Sequence, residues 1–274
     1  MDAGGSTGLE PASKGQLSSA RRLLRAKERA RLGLFLVEGP QAVREALATR
    51  DCVRELFVTA AAAGRHAGLI SAADALAVPV RLVGEEDLAA LAGTVTPQGL
   101  VAVCCVTNRG LSDVFTESAR LVVCSAQVRD PGNAGTVIRC ADAFDADGVV
   151  LTEGSVEVHN PKTVRASAGS MFHLPIAADV GLADAVRAAR DRGLQVLAAD
   201  GAGEDDITAL ATSGRLGRPT LWLFGNEAWG MPAEHTDLAD ATVRVPIYGA
   251  AESLNLATAA AVCLYVSATA QRQA

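Results

Sequence analysis

The sequence predicts an α/β protein with a smaller amino-terminal unit and a larger carboxyl-terminal unit. Apolar runs typical of strands alternate with helical segments, and near-continuous apolar strands in the second half indicate a largely parallel sheet covered on both faces. The polar, turn-rich segment RGLSDVFTES separates the two series. We therefore predict a flexible tail at residues 1–16, one unit at 17–107, a linker at 108–118 and a second unit at 119–274.

The composition indicates a globular protein with a substantial core. The chain has 274 residues, of which 49% are hydrophobic and 20% charged. This length suits one large or two modest domains. No run of about 18 apolar residues is present, which argues against a membrane-spanning helix. The first residues lack the charged-then-apolar order of a secretory signal, so a cytoplasmic location is expected.

Cysteine and histidine spacing argues against a metal site. The six cysteines form no Cys-x-x-Cys pair and mostly fall in apolar segments, where buried thiols are common. The four histidines lie far apart without the spacing of metal ligands. We expect reduced cysteines and no bound metal.

The charged residues are unevenly distributed. A formal net charge of −6 argues against a protein coated with nucleic acid. The stretch from Lys14 to Arg31 nevertheless carries seven basic residues against the single acid Glu28, and its segment RRLLRAKERARL has a helical pattern. This helix is either an ordinary solvated face or a surface that follows nucleic-acid phosphates. The second interpretation makes four arginines candidate phosphate contacts: Arg21, Arg22, Arg25 and Arg29.

The first unit continues with alternating strands and helices. In order, they are a strand at Leu34–Val37, a helix from Gln41, the strand VRELFVT, a helix at Ala60–Leu76, the strand VPVRLV, the short helix GEEDLAALAG and the strand GLVAVCCV. This pattern predicts a small α/β domain.

The second unit repeats the alternation with longer apolar strands. Its predicted strands are LVVCSAQV, GVVLTEG, LQVLAAD, LWLFGN and TVRVPI, and its predicted helices are Ala134–Phe144, Leu182–Asp191 and Ser253–Thr269. Ligands of parallel sheets bind beyond the carboxyl ends of the strands. Chemically informative residues collect there: Arg129, Asp130, Asn133, Gly135 and Arg139 after the first strand, Gly225, Asn226, Glu227 and Gly230 after LWLF, and Ser253–Asn255 after TVRVPI.

The last of these places is a strand, a turn and a helix start. The helix is predicted to begin at Glu252 or Ser253, with Ser253 as its N-cap and Asn255 in its first turn. Unpaired amide groups at a helix N-terminus suit an anionic or electron-rich ligand. The alternative is an ordinary serine cap before a buried, alanine-rich helix.

The other two places also have plain structural interpretations. DPGNAGTVIR could be a capped helix with Arg139 on its surface, and Glu227 could be a loop carboxylate that caps a helix. Several known sites are unsupported, because G-x-G-x-x-G, G-x-x-x-x-G-K-[ST] and G-x-S-x-G do not occur after any strand. It is the conjunction of the three places that points to a site.

Three stretches of the second unit carry a specific pattern. They are N-A-G-T-V-I-R at Asn133–Arg139, L-F-G-N-E-A-W-G-M at Leu223–Met231, and V-P-I-Y-G-A-A-E-S-L-N-L-A at Val245–Ala257. Together they closely resemble the signature motifs of the SpoU, or TrmH-like, RNA 2′-O-ribose methyltransferases of the SPOUT superfamily. The intervening His159–Pro175 is also similar to the family. The first unit resembles the family's ribosomal-protein-like RNA-binding domain in the stretches FLVEG and TPQGLVAV.

The resemblance implies a fold, a cofactor and partners. It implies a catalytic unit whose carboxyl-terminal segment threads a trefoil knot, a rare exception to the rule that chains do not thread loops. It implies S-adenosylmethionine as cofactor, an RNA substrate and a homodimer. The cofactor contacts implied by motif match are Gly225, Asn226, Val245, Ile247 and Leu254. The implied catalytic residues are Asn133, Arg139, Glu227, Ser253 and Asn255, while the basic helix would bind RNA.

The implied reaction leaves some alternatives open. Positioning of the ribose hydroxyl and removal of its proton are the protein's main tasks. Because a guanidinium group is a poor base, Arg139 is favoured as a phosphate and alkoxide contact, with the proton leaving through that phosphate, a water or a nearby side chain. Ribosomal RNA is favoured over transfer RNA because the resemblance includes the amino-terminal domain. A non-catalytic RNA-binding or ribosome-assembly factor of the same fold is the alternative from another class.

Overall fold

The chain folds into two compact units. The computed structural model describes residues 8–107, 109–226 and 228–273. The first unit ends at Thr107 and also includes His159–Phe172, and the second unit comprises the other described residues. The predicted division, in which the second unit was continuous from residue 119, therefore differs from the structure at this returning segment.

Five strands form the sheet of the first unit. They are β1 (Glu10–Pro11), β2 (Leu34–Glu38), β3 (Val53–Val58), β4 (Val80–Leu82) and β5 (Leu100–Cys105). Their order is β1-β4-β3-β5-β2, with β5 antiparallel to both β3 and β2. Its helices before the linker are α1 (Lys14–Arg22), α2 (Ala26–Leu32), α3 (Pro40–Ala48), α4 (Ala60–Arg65), α5 (Ala67–Ala75) and α6 (Glu85–Ala89). Leu23, Phe57, Leu88 and Val101 are central to its buried core.

The predicted tail and basic helix both need correction. Residues 1–7 lie outside the described residues, but β1 and the start of α1 fall within the predicted tail of residues 1–16. The basic stretch is two helices and not one, since α1 ends at Arg22 and α2 begins at Ala26. Arg25 between them has an extended backbone (φ −97°, ψ 129°). This break turns Leu23 into the core, where it is 2% exposed.

The second unit is built on a seven-stranded sheet. Its strands are β6 (Leu121–Ser125), β7 (Gly148–Thr152), β8 (Ile176–Val180), β9 (Gln195–Ala199), β10 (Asp205–Asp206), β11 (Thr220–Phe224) and β12 (Ala241–Arg244). They lie in the order β10-β12-β9-β11-β6-β7-β8, and every neighbouring pair is parallel. The predicted parallel sheet is confirmed.

The remaining helices follow in chain order. They are α7 (Leu111–Val114), α8 (Pro131–Ala143), α9 (Pro161–Ser167), α10 (Leu182–Asp191), α11 (Ile207–Thr212), α12 (Ala233–Thr236) and α13 (Leu256–Gln273). Of these, α9 belongs to the returning segment of the first unit. The Phe35 ring of β2 lies 4.5 Å from the His159 ring and 6.4 Å from that of Phe172, so aromatic contacts hold the returning segment there.

The predicted linker at residues 108–118 is part of the second unit's core. Asn108 lies outside the described residues, whereas Val114 and Phe115 are buried, at 0% and 2% exposure. On the same sheet, the indole nitrogen of Trp222 in β11 donates to Ser267 of α13 at 2.9 Å. This bond fixes the last helix against the central strand.

No described helix is long and apolar enough to cross a bilayer.

Candidate active site

Four strands of the second unit deliver their following loops to one edge of the sheet. Because β6, β9, β11 and β12 are parallel and run together in the sheet, their carboxyl ends coincide. A cavity of about 460 Å³ lies at the ends of β9, β11 and β12. This is within the range of small-molecule sites, roughly 300 to 1,000 Å³.

The cavity brings together most of the residues predicted to bind the cofactor or to act in catalysis. All five predicted cofactor contacts line it, as do two of the predicted catalytic residues: Gly225, Asn226, Val245, Ile247, Leu254, Ser253 and Asn255. Apolar side chains of Phe224, Met231 and Leu256 complete much of the wall. A small, largely apolar pocket with a few polar groups is the usual form of a cofactor site.

The loop after β11 is held in a close, defined turn. Asn226 is 5% exposed, and it exchanges two backbone hydrogen bonds with Gly230 at 2.8 and 2.9 Å. Its side-chain nitrogen donates to the Gln127 carbonyl at 2.6 Å, and its side-chain oxygen accepts from the Ala228 amide at 2.8 Å. Asn226 thus fastens the loop after β11 to the loop after β6. The predicted catalytic Glu227, within this turn, lies outside the described residues.

Gly225 allows the loop after β11 to pack closely against the end of that strand. A Cβ atom at this position would lie 2.5 Å from the carbonyl carbon and oxygen of Gly230 and 2.7 Å from the amide nitrogen of Met231. Backbone atoms cannot yield as a flexible side chain can, so only glycine fits this packing. The close approach places Gly225, Gly230 and Met231 together on the cavity wall.

The start of α13 differs from the prediction by a few residues. The helix begins at Leu256, and the cap is Asn255, whose side-chain oxygen accepts from the amides of Ala257 at 2.9 Å and Thr258 at 3.3 Å. Ser253 lines the cavity ahead of the helix. The prediction of Ser253 as N-cap was therefore wrong, because Asn255, an equally good capping residue, lies two positions later.

Asn255 also links two helix starts. Its side-chain nitrogen donates to the side-chain oxygen of Asn133 at 3.0 Å. Asn133 lies in the first turn of α8, where its amide donates to the capping carboxylate of Asp130 at 2.8 Å. The sequence-predicted residues Asn133 and Asn255 are thus in contact, although 122 positions separate them.

Arg139 lies apart from the cavity. It is exposed on α8 and forms no hydrogen bond or ion pair with any described residue. Its position six residues after Asn133 turns it about 120° around the helix from that residue. Burial raises the pKa of the adjacent Cys140 thiol, and the charge of Arg139 partly opposes that shift. Arg139 therefore faces solvent and is in no ion pair with the described residues.

Asp200 was missed by the sequence analysis. It follows β9 directly and is the one charged side chain among the described residues that line the cavity. One of its carboxylate oxygens accepts from the Ala202 amide at 2.8 Å. The rule that ligands bind beyond strand carboxyl ends, applied to the strand LQVLAAD, could have identified it.

The four arginines of the basic stretch have different environments. Arg21 and Arg25 are exposed, while Arg22 pairs with Glu28 at 2.6 Å. Hydrogen bonding from Arg31 lowers the pKa of the Glu28 carboxyl. Arg29 is only 2% exposed and donates to the Leu23 carbonyl at 2.8 Å. The prediction of Arg29 as a phosphate contact is corrected, since its guanidinium holds the turn between α1 and α2.

Neither metal-ligand clusters nor disulfides mark this site. Within the described ranges, no group of three or more His, Cys, Asp and Glu side chains is arranged to hold a metal ion. All six cysteines are free thiols. Burial raises the pKa of Cys124 and of Cys263 to about 12, so these two thiols are protonated at neutral pH.

Comparison with known proteins agrees along nearly the whole chain. Residues 120–265 match the SpoU rRNA methylase family, and residues 36–105 match the RNA 2′-O ribose methyltransferase substrate-binding domain. The chain is 32% identical to the Bacillus subtilis 23S rRNA (guanosine(2553)-2′-O)-methyltransferase RlmP, over 94% of this chain and 97% of that protein.

Solved structures show the same similarity in three dimensions. An AdoMet-bound rRNA methyltransferase from Sinorhizobium meliloti superposes with a TM-score of 0.81 at 31% identity, covering 94% of this chain and 96% of that one. The SpoU methyltransferase AviRb from Streptomyces viridochromogenes, in complex with AdoMet, gives a TM-score of 0.83 at 28% identity, covering 95% and 100%. With its sequence motifs, fold and relatives in agreement, the chain belongs to the SpoU rRNA methylase family.

Proposed function

We propose that this protein transfers a methyl group from S-adenosylmethionine to a ribose 2′-hydroxyl of ribosomal RNA. The observation that carries the proposal is the cavity at the sheet edge, where residues from two of the three motifs meet and Asn255 contacts Asn133 of the third. The names of the relatives support ribosomal RNA as the substrate class.

The cavity residues fit a compact, cationic cofactor with an aromatic part. The glycine-lined wall at Gly225 brings backbone groups close to a ligand, and Ile247 and Leu254 offer apolar contacts to an adenine ring. Asp200 offers the cavity's carboxylate to a positive charge. The bound cofactor supplies a sulfonium methyl group that is already activated for transfer.

The remaining task for this chain is to orient a hydroxyl and help remove its proton. Asn133 and Asn255 link the starts of α8 and α13, and we assign this contact to one boundary of the reaction site. We assign Arg139 to the target phosphate and to the alkoxide charge that develops on the ribose, because a guanidinium is a cation whose planar fork of donors suits phosphate oxygens. Ser253 and Glu227 complete the proposed catalytic set.

The finer features of the proposal follow from the family. They are a trefoil knot in the carboxyl-terminal segment, a cytoplasmic homodimer and RNA binding by the first unit. The position of Arg139 outside the cavity supports a site that a second copy completes. The match of residues 36–105 to a substrate-binding domain supports the role of the first unit.

One assay tests the proposed reaction against its alternatives. Purified protein and labelled S-adenosylmethionine are incubated with a 23S rRNA transcript or with bulk transfer RNA, and the blocked 2′-hydroxyl is mapped. Methylation of the ribosomal transcript alone is expected. Methylation of transfer RNA alone would replace the substrate class, and RNA binding without methyl transfer would support a non-catalytic assembly factor.

Asp200→Asn is expected to weaken S-adenosylmethionine binding by up to about fivefold more than S-adenosylhomocysteine binding, the upper end of the range for an exposed charge pair. The substitution keeps the oxygen that accepts from Ala202 and removes only the negative charge. Calorimetric titration of both ligands measures the difference, with Asp184→Asn on α10 as the control. An equal loss for both ligands would place the carboxylate away from the sulfonium, and unchanged affinities would remove Asp200 from the site.

Replacing both Arg21 and Arg25 with alanine is expected to weaken RNA binding and flatten its salt dependence. Each lost phosphate contact lowers the log–log slope by roughly 0.7 to 0.9 through reduced counterion release. Affinity for a 23S rRNA transcript is measured across a salt series, with Arg50→Ala as a control because Arg50 is an exposed arginine of the same unit. An unchanged slope in the double variant would mean that this stretch is only a solvated surface.

A further inference from the structure

Trp229 is an exposed indole in the loop after β11, which also lines the cavity. Its side chain lies in the loop between β11 and α12 and is 46% exposed, next to Gly230 and Met231 on the cavity wall. The chain's other tryptophan, Trp222, is fully buried. Exposing so large an aromatic surface suits a residue that binds a partner.

The loop backbone and the ring of Trp229 are each held by a described contact. Asn226 and Gly230 exchange backbone hydrogen bonds that close the turn in which Trp229 lies. The guanidinium carbon of Arg129 lies 4.9 Å from the ring centroid, in a cation–π contact. Arg129 follows β6, the strand beside β11, and the Asn226 to Gln127 hydrogen bond ties the two loops together. An aromatic platform that is fixed before binding loses little entropy when a ligand stacks on it.

We propose that Trp229 is a stacking platform for a nucleobase of the RNA, either the target base or its immediate neighbour, and that Arg129 positions the ring. Proteins recognise unpaired RNA bases by stacking them on aromatic side chains and on guanidinium planes. A base on Trp229 would bring the attached ribose to the loop that lines the cavity. This inference rests on the proposed function and adds to it a group that selects and orients the substrate nucleotide.

Two substitutions separate stacking from simple apolar contact. Trp229→Phe keeps an aromatic face, whereas Trp229→Leu keeps a bulky apolar side chain without one. Trp229→Leu is expected to weaken binding of a 23S rRNA transcript about 30-fold, the middle of the range for loss of one stacked base. Trp229→Phe is expected to recover most of that loss, and both variants are expected to keep S-adenosylmethionine affinity within about twofold. In turnover assays the loss should appear in the KM for RNA.

Tryptophan fluorescence gives a readout independent of methyl transfer. Because Trp222 is buried, a soluble quencher such as acrylamide reports mainly on Trp229, and the signal that Trp229→Phe removes identifies it. Adding the RNA transcript without cofactor is expected to protect Trp229 from the quencher. RNA binding with no such protection, or equal weakening by Phe and Leu, would overturn the proposal.

The stacking role of Trp229 and the proposed methyl transfer can be tested separately. If RNA is methylated normally but Trp229 stays quenchable and Trp229→Leu binds RNA as the native protein does, the stacking platform is wrong and the proposed reaction stands. If no methylation occurs but RNA still protects Trp229, the platform is supported and the proposed reaction is wrong. A shift of Trp229→Leu from dimer to monomer with unchanged RNA affinity would assign the indole to subunit contact and overturn the platform.

Discussion

Replacing Gly225 with valine is expected to abolish measurable S-adenosylmethionine binding. Even the first side-chain carbon would lie 2.5 Å from the backbone of Gly230, which lines the same cavity. The loop after β11 must then move away from its strand, at a cost of about 1 to 3 kcal/mol for overpacking alone. That movement breaks up the wall formed by residues 224–226 and 230–231, so binding is lost through the backbone as well as through direct crowding.

A smaller substitution at Gly225 and a control at another glycine test this prediction. Gly225→Ala, which adds only the Cβ, is expected to weaken binding at least about tenfold, since a small backbone shift disturbs several ligand contacts at once. Gly249→Ala serves as the control, because a Cβ on Gly249 meets nothing within 4 Å. Calorimetry measures affinity, and circular dichroism checks that each variant folds. Native affinity in a folded Gly225→Val protein would place the cofactor elsewhere.

The sequence predicted the sheet and the composition of the cavity because both follow from repeating patterns. Near-continuous apolar strands between helices admit a parallel sheet, and parallel strands bring their carboxyl ends to one edge. Gly225, which follows β11, and Val245, which follows β12, therefore line the same cavity although they lie in separate segments of the chain. The same rule, applied to β9, predicts that Asp200 also lies at this edge of the sheet.

Features that depend on single contacts could not be predicted from the sequence. Arg29 resembles its solvent-exposed neighbours in sequence, and only the turn at Leu23 gives its guanidinium a buried carbonyl to bind. The choice of Asn255 over Ser253 as a cap depends on where α13 begins, and both residue types cap well. The return of α9 to the first unit likewise follows from the packing of Phe35 against His159 and Phe172, which no periodicity marks.

The orientation of Arg139 could not be predicted from the sequence either, and it affects the proposed mechanism. Helical pattern places Arg139 on α8 with Asn133, but six positions of helix turn the two side chains in different directions. Asn133 contacts Asn255 beside the cavity, whereas Arg139 faces solvent. A role in cofactor binding within one subunit is therefore disfavoured, and a role toward RNA is favoured.

Replacing Arg139 with alanine is expected to lower methyl transfer by two or more orders of magnitude, about the effect of removing one group that stabilises developing charge. Cofactor affinity should change by no more than a few-fold, since Arg139 does not line the cavity. Unfolding stability should also hold, because Arg139 is exposed and pairs with no described residue. Single-turnover assays with a 23S rRNA transcript measure the loss.

Two further variants identify what the guanidinium does. Arg139→Lys keeps the positive charge and loses the planar, bidentate fork, so partial recovery is expected if charge matters and full loss if the fork binds a phosphate. Arg187→Ala on α10 is the control, since Arg187 is an exposed arginine in a surface ion pair with Asp184, and such pairs contribute little. Near-native turnover in Arg139→Ala would remove this residue from the mechanism. A cofactor affinity that falls together with turnover would instead mean that the guanidinium reaches the cofactor, as it could if it entered the site of a second subunit.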